Sequence, residues 1–185
     1  MDVARFGDDR TALAKRQCNR LLEPIKFKRG YDLMQTCGWV KNEWDETAYD
    51  ERPGEILVDV IGIGAGVVDR LRELGLPVRG INVGEAASAN DRYMRFRDEL
   101  WFKGREWFDA KDCMLPDDQA LIAELTGPKY TFTSSGKILV ESKDELKKRG
   151  VVSPDLAVSF CLTLANMGAP MGNMKPLKYD LRYVR

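Results

Sequence analysis

Between Glu55 and Leu71 the chain runs Glu-Ile-Leu-Val-Asp-Val-Ile-Gly-Ile-Gly-Ala-Gly-Val-Val-Asp-Arg-Leu, an aliphatic stretch bounded by Arg52-Pro53-Gly54 and then by spaced glycines. That pattern predicts a buried strand, a tight turn and a helix over Val67 to Leu74. Leu76 to Val83 is a second short apolar run, so strand, helix and strand follow in the order of a parallel β-α-β unit. Upstream, Met1 to Phe6 reads as a strand entering a Gly7-Asp8-Asp9 turn, with Thr11 to Cys18 as its extended return. Arg20 to Phe27 is expected as a third strand burying Leu21, Leu22, Ile25 and Phe27. Leu33, Met34, Cys37, Val40 and Trp44 then recur at near-helical spacing, which predicts a helix from Tyr31 to about Ala48.

The second half is richer in helix signals. Asp91 to Asp109 carries Tyr93, Met94, Phe96, Leu100, Trp101, Trp107 and Phe108 on an apolar side, with Arg92, Arg95, Arg97, Lys103 and Arg105 as its cations. Interleaved aromatic and basic residues can bind nucleic acid, but a packed face beside a solvated one is the commoner meaning. A short helix is expected over Pro116 to Leu125 and stops at Gly127-Pro128. Residues 130 to 140 alternate as a β-hairpin around Ser134-Ser135-Gly136. Ser142 with Glu145 three residues on is a capping box, opening a short helix whose Lys143, Lys147, Lys148 and Arg149 are the densest basic cluster in the chain. From Val152 to Ala165 an apolar helix is expected with Ser153 as N-cap, Pro154 at the first helical position and Asp155 in the first turn. The segment after Met167, with Gly, Pro, Met and Lys, reads as loop or docking tail.

With 185 residues and no low-complexity linker, one domain with a substantial core is expected. Lys plus Arg equals Asp plus Glu at 29 each, so a nucleic-acid partner would have to be held by local patches or through metal ions. Apolar runs are too short for a membrane span and no signal-peptide pattern opens the chain, so an intracellular, membrane-free protein is expected. Cys18, Cys37, Cys113 and Cys161 lack paired Cys-x-x-Cys spacing and read as free thiols. The absence of histidine removes Ser-His and Cys-His nucleophile pairs and histidine-bearing zinc sites, leaving carboxylates, lysines, hydroxyls or an oxygen-bound metal for any chemistry.

Asp59 stands out for that reason. An ionised carboxylate in an otherwise apolar strand costs several kcal/mol unless paired or bound to a cation, so it is a candidate metal ligand. Gly62, Gly64 and Gly66 allow phosphate binding at the next helix, yet no P-loop lysine follows, and a tight turn with close packing is the simpler meaning. Asp155 alone is explained by the helix dipole. Asp2 alone is explained as a solvated acid near a terminus.

Three patterns nevertheless stand in one order: Asp2-Val-Ala-Arg-Phe-Gly-Asp-Asp-Arg-Thr, then Val58-Asp59-Val-Ile-Gly-Ile-Gly-Ala-Gly-Val-Val-Asp-Arg-Leu, then Glu141-Ser-Lys-Asp-Glu-Leu-Lys-Lys-Arg-Gly-Val-Val-Ser-Pro-Asp155-Leu-Ala, with Leu121-Ile-Ala-Glu-Leu-Thr-Gly-Pro-Lys-Tyr between. Together, over about residues 2 to 165, they resemble the C-terminal nuclease domain of the large terminase subunit of tailed bacteriophages. The resemblance implies an α/β, ribonuclease H-like fold with a mixed central sheet flanked by helices on both faces. It implies a divalent-metal-dependent endonuclease that cuts concatemeric double-stranded viral DNA during genome packaging, in the cytoplasm of the infected bacterial host. Asp2, Asp59 and Asp155 match the family's metal-binding acids. Where many relatives have a further acid three residues after the helix acid, this chain has Val158, a vacancy that Asp9, or less readily Asp8, could fill. The implied ions are magnesium or manganese as a two-metal site. Asp2 would bridge them, Asp59 and Asp155 would hold one each, and Lys143, Lys147, Lys148 and Arg149 would face the DNA.

The upstream ATPase domain of such proteins has no counterpart in the sequence, which reads as a single nuclease domain of a longer chain, with residues 166–185 as its tail. The small terminase subunit and the portal are the implied protein partners. Two alternatives stand beside this expectation: a catalytically inactive ribonuclease H-like docking module whose acids are satisfied by lysines, and a resolvase- or transposase-like nuclease of the same fold.

Overall fold

The computed structural model describes residues 1–4 and 9–165. Strand β1 (Arg10–Leu13) pairs antiparallel with β4 (Lys26–Arg29), in register from Arg10 opposite Arg29 to Leu13 opposite Lys26. Between them lies a small hairpin, β2 (Arg16–Gln17) and β3 (Arg20–Leu21), which turns through Cys18 at φ 49°. The extended segments expected over Thr11 to Cys18 and Arg20 to Phe27 are therefore each broken. Leu22 and Phe27 are exposed, while Leu21 and Ile25 are buried as expected. The Gly7-Asp8-Asp9 turn falls outside the described residues except for Asp9.

Helix α1 (Leu33–Glu46) begins two residues later than the apolar spacing suggests, because Asp32 caps it: the Gln35 amide donates to Asp32 at 2.7 Å and the Asp32 amide donates to the Gln35 side chain at 3.0 Å. After a 3₁₀ turn at Tyr49–Glu51 come β5 (Ile56–Asp59), α2 (Gly64–Glu73) and β6 (Val78–Ile81), with β5 and β6 parallel from Ile56 opposite Val78 to Asp59 opposite Ile81. The predicted β-α-β unit is present, and its helix starts at Gly64 rather than Val67. A Cβ at Gly64 would fall onto the Asp59 carbonyl, so glycine here permits α2 to leave β5 without displacing Asp59. Gly64→Ala is expected to cost about 2 kcal/mol or more by forced overpacking, read as a lowered denaturant midpoint.

Backbone bonds through the first two residues join the two pairs of strands. The Met1 nitrogen donates to the Leu57 carbonyl at 2.6 Å and the Asp59 amide donates to the Met1 carbonyl at 3.2 Å. Asp2 and Ala12 exchange bonds of 3.0 and 2.9 Å. Side chains alternate accordingly. Met1, Leu13, Ile56 and Val58 enter a cluster with Val67, Val68, Leu71, Trp39 and Val40 from α1 and α2. Ala12, Leu57 and Ile81 enter the other, with Leu100, Trp107, Leu121, Leu156 and Phe160. Helices thus pack on both sides of these strands, which pair as two-stranded sheets, β1 with β4 and β5 with β6, where one mixed central sheet was expected; Asp2 and Asp59 fall by parity on the second side.

That face is filled by α3 (Phe96–Asp109), α4 (Gln119–Thr126) and α6 (Asp155–Leu162). All eight residues of α6 are buried, which is why it reads as apolar on every side rather than amphipathic. The Ser159 hydroxyl donates to the Ala12 carbonyl at 3.0 Å and accepts from the Ala14 amide at 3.0 Å, tying α6 to β1. Helix α3 starts at Phe96, five residues after the expected Asp91, because the Arg95 amide is taken by the Asp98 carboxylate at 2.9 Å. The hairpin of β7 (Tyr130–Phe132) and β8 (Ile138–Val140) forms as predicted, as does α5 (Lys143–Lys148) with its Ser142 and Glu145 capping box. No helix among the described residues is long and apolar enough to cross a membrane.

Candidate functional site

Three acidic side chains lie where the strand pairs β1-β4 and β5-β6 approach the start of α6. Asp2 comes from the segment between β1 and β5, Asp59 from the last position of β5, and Asp155 from the first position of α6. Asp2 is 5% exposed and Asp155 1%, so neither is a solvated surface acid. The Lys143 ammonium at the start of α5 donates to Asp2 Oδ2 at 2.8 Å and to Asp155 Oδ1 at 2.9 Å. One cation thus bonds two carboxylates from residues 153 positions apart in sequence, and its α5 position follows from the Ser142 cap. Lys143 was expected to face DNA; its ammonium is instead engaged by the acids. The buried carboxylates attract it more strongly than solvent does.

Asp155 is held from both sides. Its Oδ1 also accepts from the Ser153 hydroxyl at 2.6 Å, and its Oδ2 accepts from the Arg10 amide at 2.9 Å and Arg10 Nε at 3.4 Å. Ser153 therefore serves the Asp155 carboxylate instead of capping the helix, and Pro154 takes the N-cap position that Ser153 was expected to fill. Burial alone would raise the pKa of Asp155, but Lys143, Ser153 and the Arg10 amide together hold it below the ordinary carboxylate range. Burial pushes Asp2 up despite Lys143. Lys143 is raised, the pull of Asp2 and Asp155 outweighing its own burial.

Asp59 differs from both. Its Oδ1 accepts from the Ile61 amide at 3.1 Å, and among the described residues no cation is within ion-pair distance of it. Burial, with the Asp2 charge adding to it, raises its pKa to about 6. Because the unfolded chain loses this proton near the ordinary aspartate pKa of about 3.9, the native state binds more protons between pH ~4 and ~6, and stability falls with pH across that window. Above pH 6 the penalty is complete. In EDTA at pH 8, Asp59→Asn is expected to melt a few °C above the unsubstituted protein, with the advantage gone below about pH 4 in a calorimetric series.

The other sequence candidates scatter around this core. Asp9 forms an ion pair with Lys147 at 3.0 Å. Asp8 lies outside the described residues. Arg149 is engaged by both oxygens of Glu141, at 2.6 and 2.7 Å, and donates to the Gly127 carbonyl at 3.0 Å. Lys148 is exposed on α5. Val158 is buried in the α6 core, which leaves no acid at that turn.

Two residues that sequence reasoning passed over complete the site. Glu124 of α4 pairs with the Arg10 guanidinium and accepts from the Leu156 and Ala157 amides at 2.7 and 3.2 Å, closing the N-terminus of α6. The acid inside Leu121-Ile-Ala-Glu-Leu was the available signal, of the same kind as Asp59 in its strand.

Several solved structures of similar shape are nuclease domains of phage large terminase subunits. The nuclease domain of the large terminase subunit gp2 of bacterial virus Sf6 superposes with a TM-score of 0.72 at 20% identity, over 87% of this chain and 85% of that one. A variant of that domain with manganese and β-thujaplicinol gives 0.73 at 19% identity, with the same coverage. The large terminase nuclease from thermophilic phage G20c gives 0.55 at 14% identity, covering 89% of this chain and 85% of that one, and has also been crystallised with magnesium. The chain shares the fold of these nuclease domains. No protein-family model matches the sequence, and no curated protein sequence matches it.

The donor set suits a hard divalent cation, since every side chain offered is a carboxylate and thiol and imidazole are absent from it. Of three acids, two are bonded by Lys143, Arg10 is paired with Glu124, and Asp59 has no ion pair among the described residues. Among the described residues, no group of three or more acidic or cysteine side chains is drawn together tightly enough to hold an ion. With Lys143 between Asp2 and Asp155, that arrangement would require the ammonium to give way.

Proposed function

We propose that this chain is the ribonuclease H-like nuclease domain of a phage large terminase subunit, cutting concatemeric double-stranded DNA during genome packaging in the cytoplasm of the infected host. The observation that carries this reading is the meeting of Asp2 and Asp155 at one ammonium, with Asp59 free of any ion pair among the described residues, in a fold shared with terminase nuclease domains. Asp2, Asp59 and Asp155 would hold magnesium or manganese. Bound there, the ions would polarise water and stabilise charge on the scissile phosphate. The protein's own part is to bring carboxylates from two strand segments and the start of α6 toward one place, with Asp2 and Asp155 buried and Asp59 half-buried, where their attraction for a dication is strengthened. Lys143 bonds Asp2 and Asp155 and would have to release them for their oxygens to hold a cation. Lys147 and Lys148 lie on the exposed side of α5, and the surface pair of Lys147 with Asp9, worth about 0–1 kcal/mol, is readily exchanged for a phosphate. The small terminase subunit and the portal are proposed partners of the larger subunit to which this domain would belong.

A second reading has one observation in its favour. Lys143 satisfies two of the three acids, as an inactive docking module would require. Incubation of supercoiled plasmid with the protein and manganese, against an EDTA control, separates the two: nicked and linear products support the nuclease, and intact plasmid at all metal concentrations supports the docking module. Preference for a four-way junction over linear duplex would move the assignment to a resolvase-like enzyme.

A further inference from the structure

Asp155 presents its two oxygens to different partners, and the division originates in a buried pair outside the acidic cluster. Arg10 donates to Oδ2 through its amide and Nε, and its Nη2 reaches Glu124 and the Ser153 carbonyl, the latter at 3.1 Å. Glu124 in turn bonds the Leu156 and Ala157 amides, the two residues that follow Asp155. Arg10 is 7% exposed and Glu124 8%, so the pair is shielded from solvent and its geometry is set by packing. Oδ1 is left to Lys143 and Ser153, on the side of Asp2.

We propose that Arg10 and Glu124 are positioning residues that fix Asp155 as a one-oxygen donor: Oδ2 is retained by the protein and Oδ1 alone is offered to a cation shared with Asp2. The inference rests on the nuclease reading for the identity of that cation, but the rotamer of Asp155 is independent of it. Glu124 is tied to the α6 backbone, so Arg10 cannot follow the carboxylate, and both oxygens of Asp155 cannot turn toward the same ion. Arg10 serves Asp155 through Glu124 on one side and the Ser153 carbonyl on the other, a three-point hold that a lysine could not reproduce.

The test is the double variant R10M/E124Q. Met replaces the aliphatic stem of Arg10 and keeps its main-chain bond to Oδ2, and the Gln carbonyl still accepts from the α6 amides, so the variant removes the guanidinium hold and its counter-charge together while the helix stays capped. Crystal structures in EDTA are expected to show Asp155 in one rotamer in the unsubstituted protein and rotated or divided between rotamers in the variant. Manganese titration by calorimetry is expected to show affinity reduced about 10- to 100-fold, the usual cost of losing the partners of a metal-binding carboxylate. An unmoved Asp155 in the variant overturns the positioning role whatever the affinity. If Asp155 moves but the unsubstituted protein takes up no manganese, the positioning role stands and the nuclease reading fails. Should the double variant not fold, Glu124→Gln alone is measured in the same two ways, with the same outcomes deciding.

Discussion

Lys143→Met is expected to be among the most destabilising single changes outside the core when metal is withheld. The ammonium is the direct partner of Asp2 and Asp155, both nearly inaccessible, so its removal leaves two buried carboxylates close together with no bonded cation between them. Breaking a buried pair in this way costs about 3–5 kcal/mol. For a domain of this size that lowers the melting temperature by roughly 10 °C in EDTA at pH 8. The loss should shrink as pH falls, since protonation of Asp2, whose pKa is raised by burial, removes one of the repelling charges. Manganese at about 100 times its Kd is then expected to return about 2.7 kcal/mol, because the ion binds the native state alone. A docking module with no affinity for cations would show the destabilisation without the recovery, so differential scanning calorimetry with and without manganese also discriminates between the two readings.

The second large effect concerns cleavage. Asp155→Asn preserves shape but leaves one accepting oxygen in place of two: with that oxygen, now neutral, kept toward Lys143 and Ser153, the NH2 group faces the Arg10 amide, donor against donor. Plasmid cleavage in manganese is expected to fall by about 10³-fold or more, in keeping with the roughly 4 kcal/mol or more of transition-state stabilisation that such a loss represents. Thermal stability in EDTA should fall far less than for Lys143→Met, since the variant removes a charge instead of stranding one. Equal cleavage by Asp155→Asn and the unsubstituted protein would exclude Asp155 from the chemistry.

Much of this arrangement is legible in sequence, for identifiable reasons. Asp59 is conspicuous because its strand is otherwise aliphatic, and the β-α-β pattern places it at the end of β5. Its parity then sends it to the same face as Asp2. The Ser142 and Glu145 capping box locates the start of α5, hence the position of Lys143, but composition favours a DNA-facing basic cluster there. What turns Lys143 inward is the tertiary proximity of two buried acids, which no local pattern encodes. Ser153 illustrates the same limit on a smaller scale: a serine before Pro-Asp is a good N-cap by local preference, and the carboxylate of Asp155 competes successfully for its hydroxyl. The edge region from Thr11 to Phe27 was harder still. Its apolar residues suit longer strands than the two short pairs that form, and the break at Cys18 requires a positive φ at a residue that gives no turn signal. Glu124 was overlooked because a single acid in a short helix is ordinary until the partner, Arg10 on a distant strand, is known.

Asp2, Asp59 and Asp155 are proposed to act together on DNA through divalent ions, and Asp59 is the member with no ion pair among the described residues. Plasmid cleavage measured against rising manganese concentration, for the unsubstituted protein and for Asp59→Asn side by side, tests it most directly. The expected result is saturable, manganese-dependent cutting by the unsubstituted protein and almost none by the variant at any concentration. Cutting by Asp59→Asn with an undiminished rate and the same manganese dependence would contradict the account.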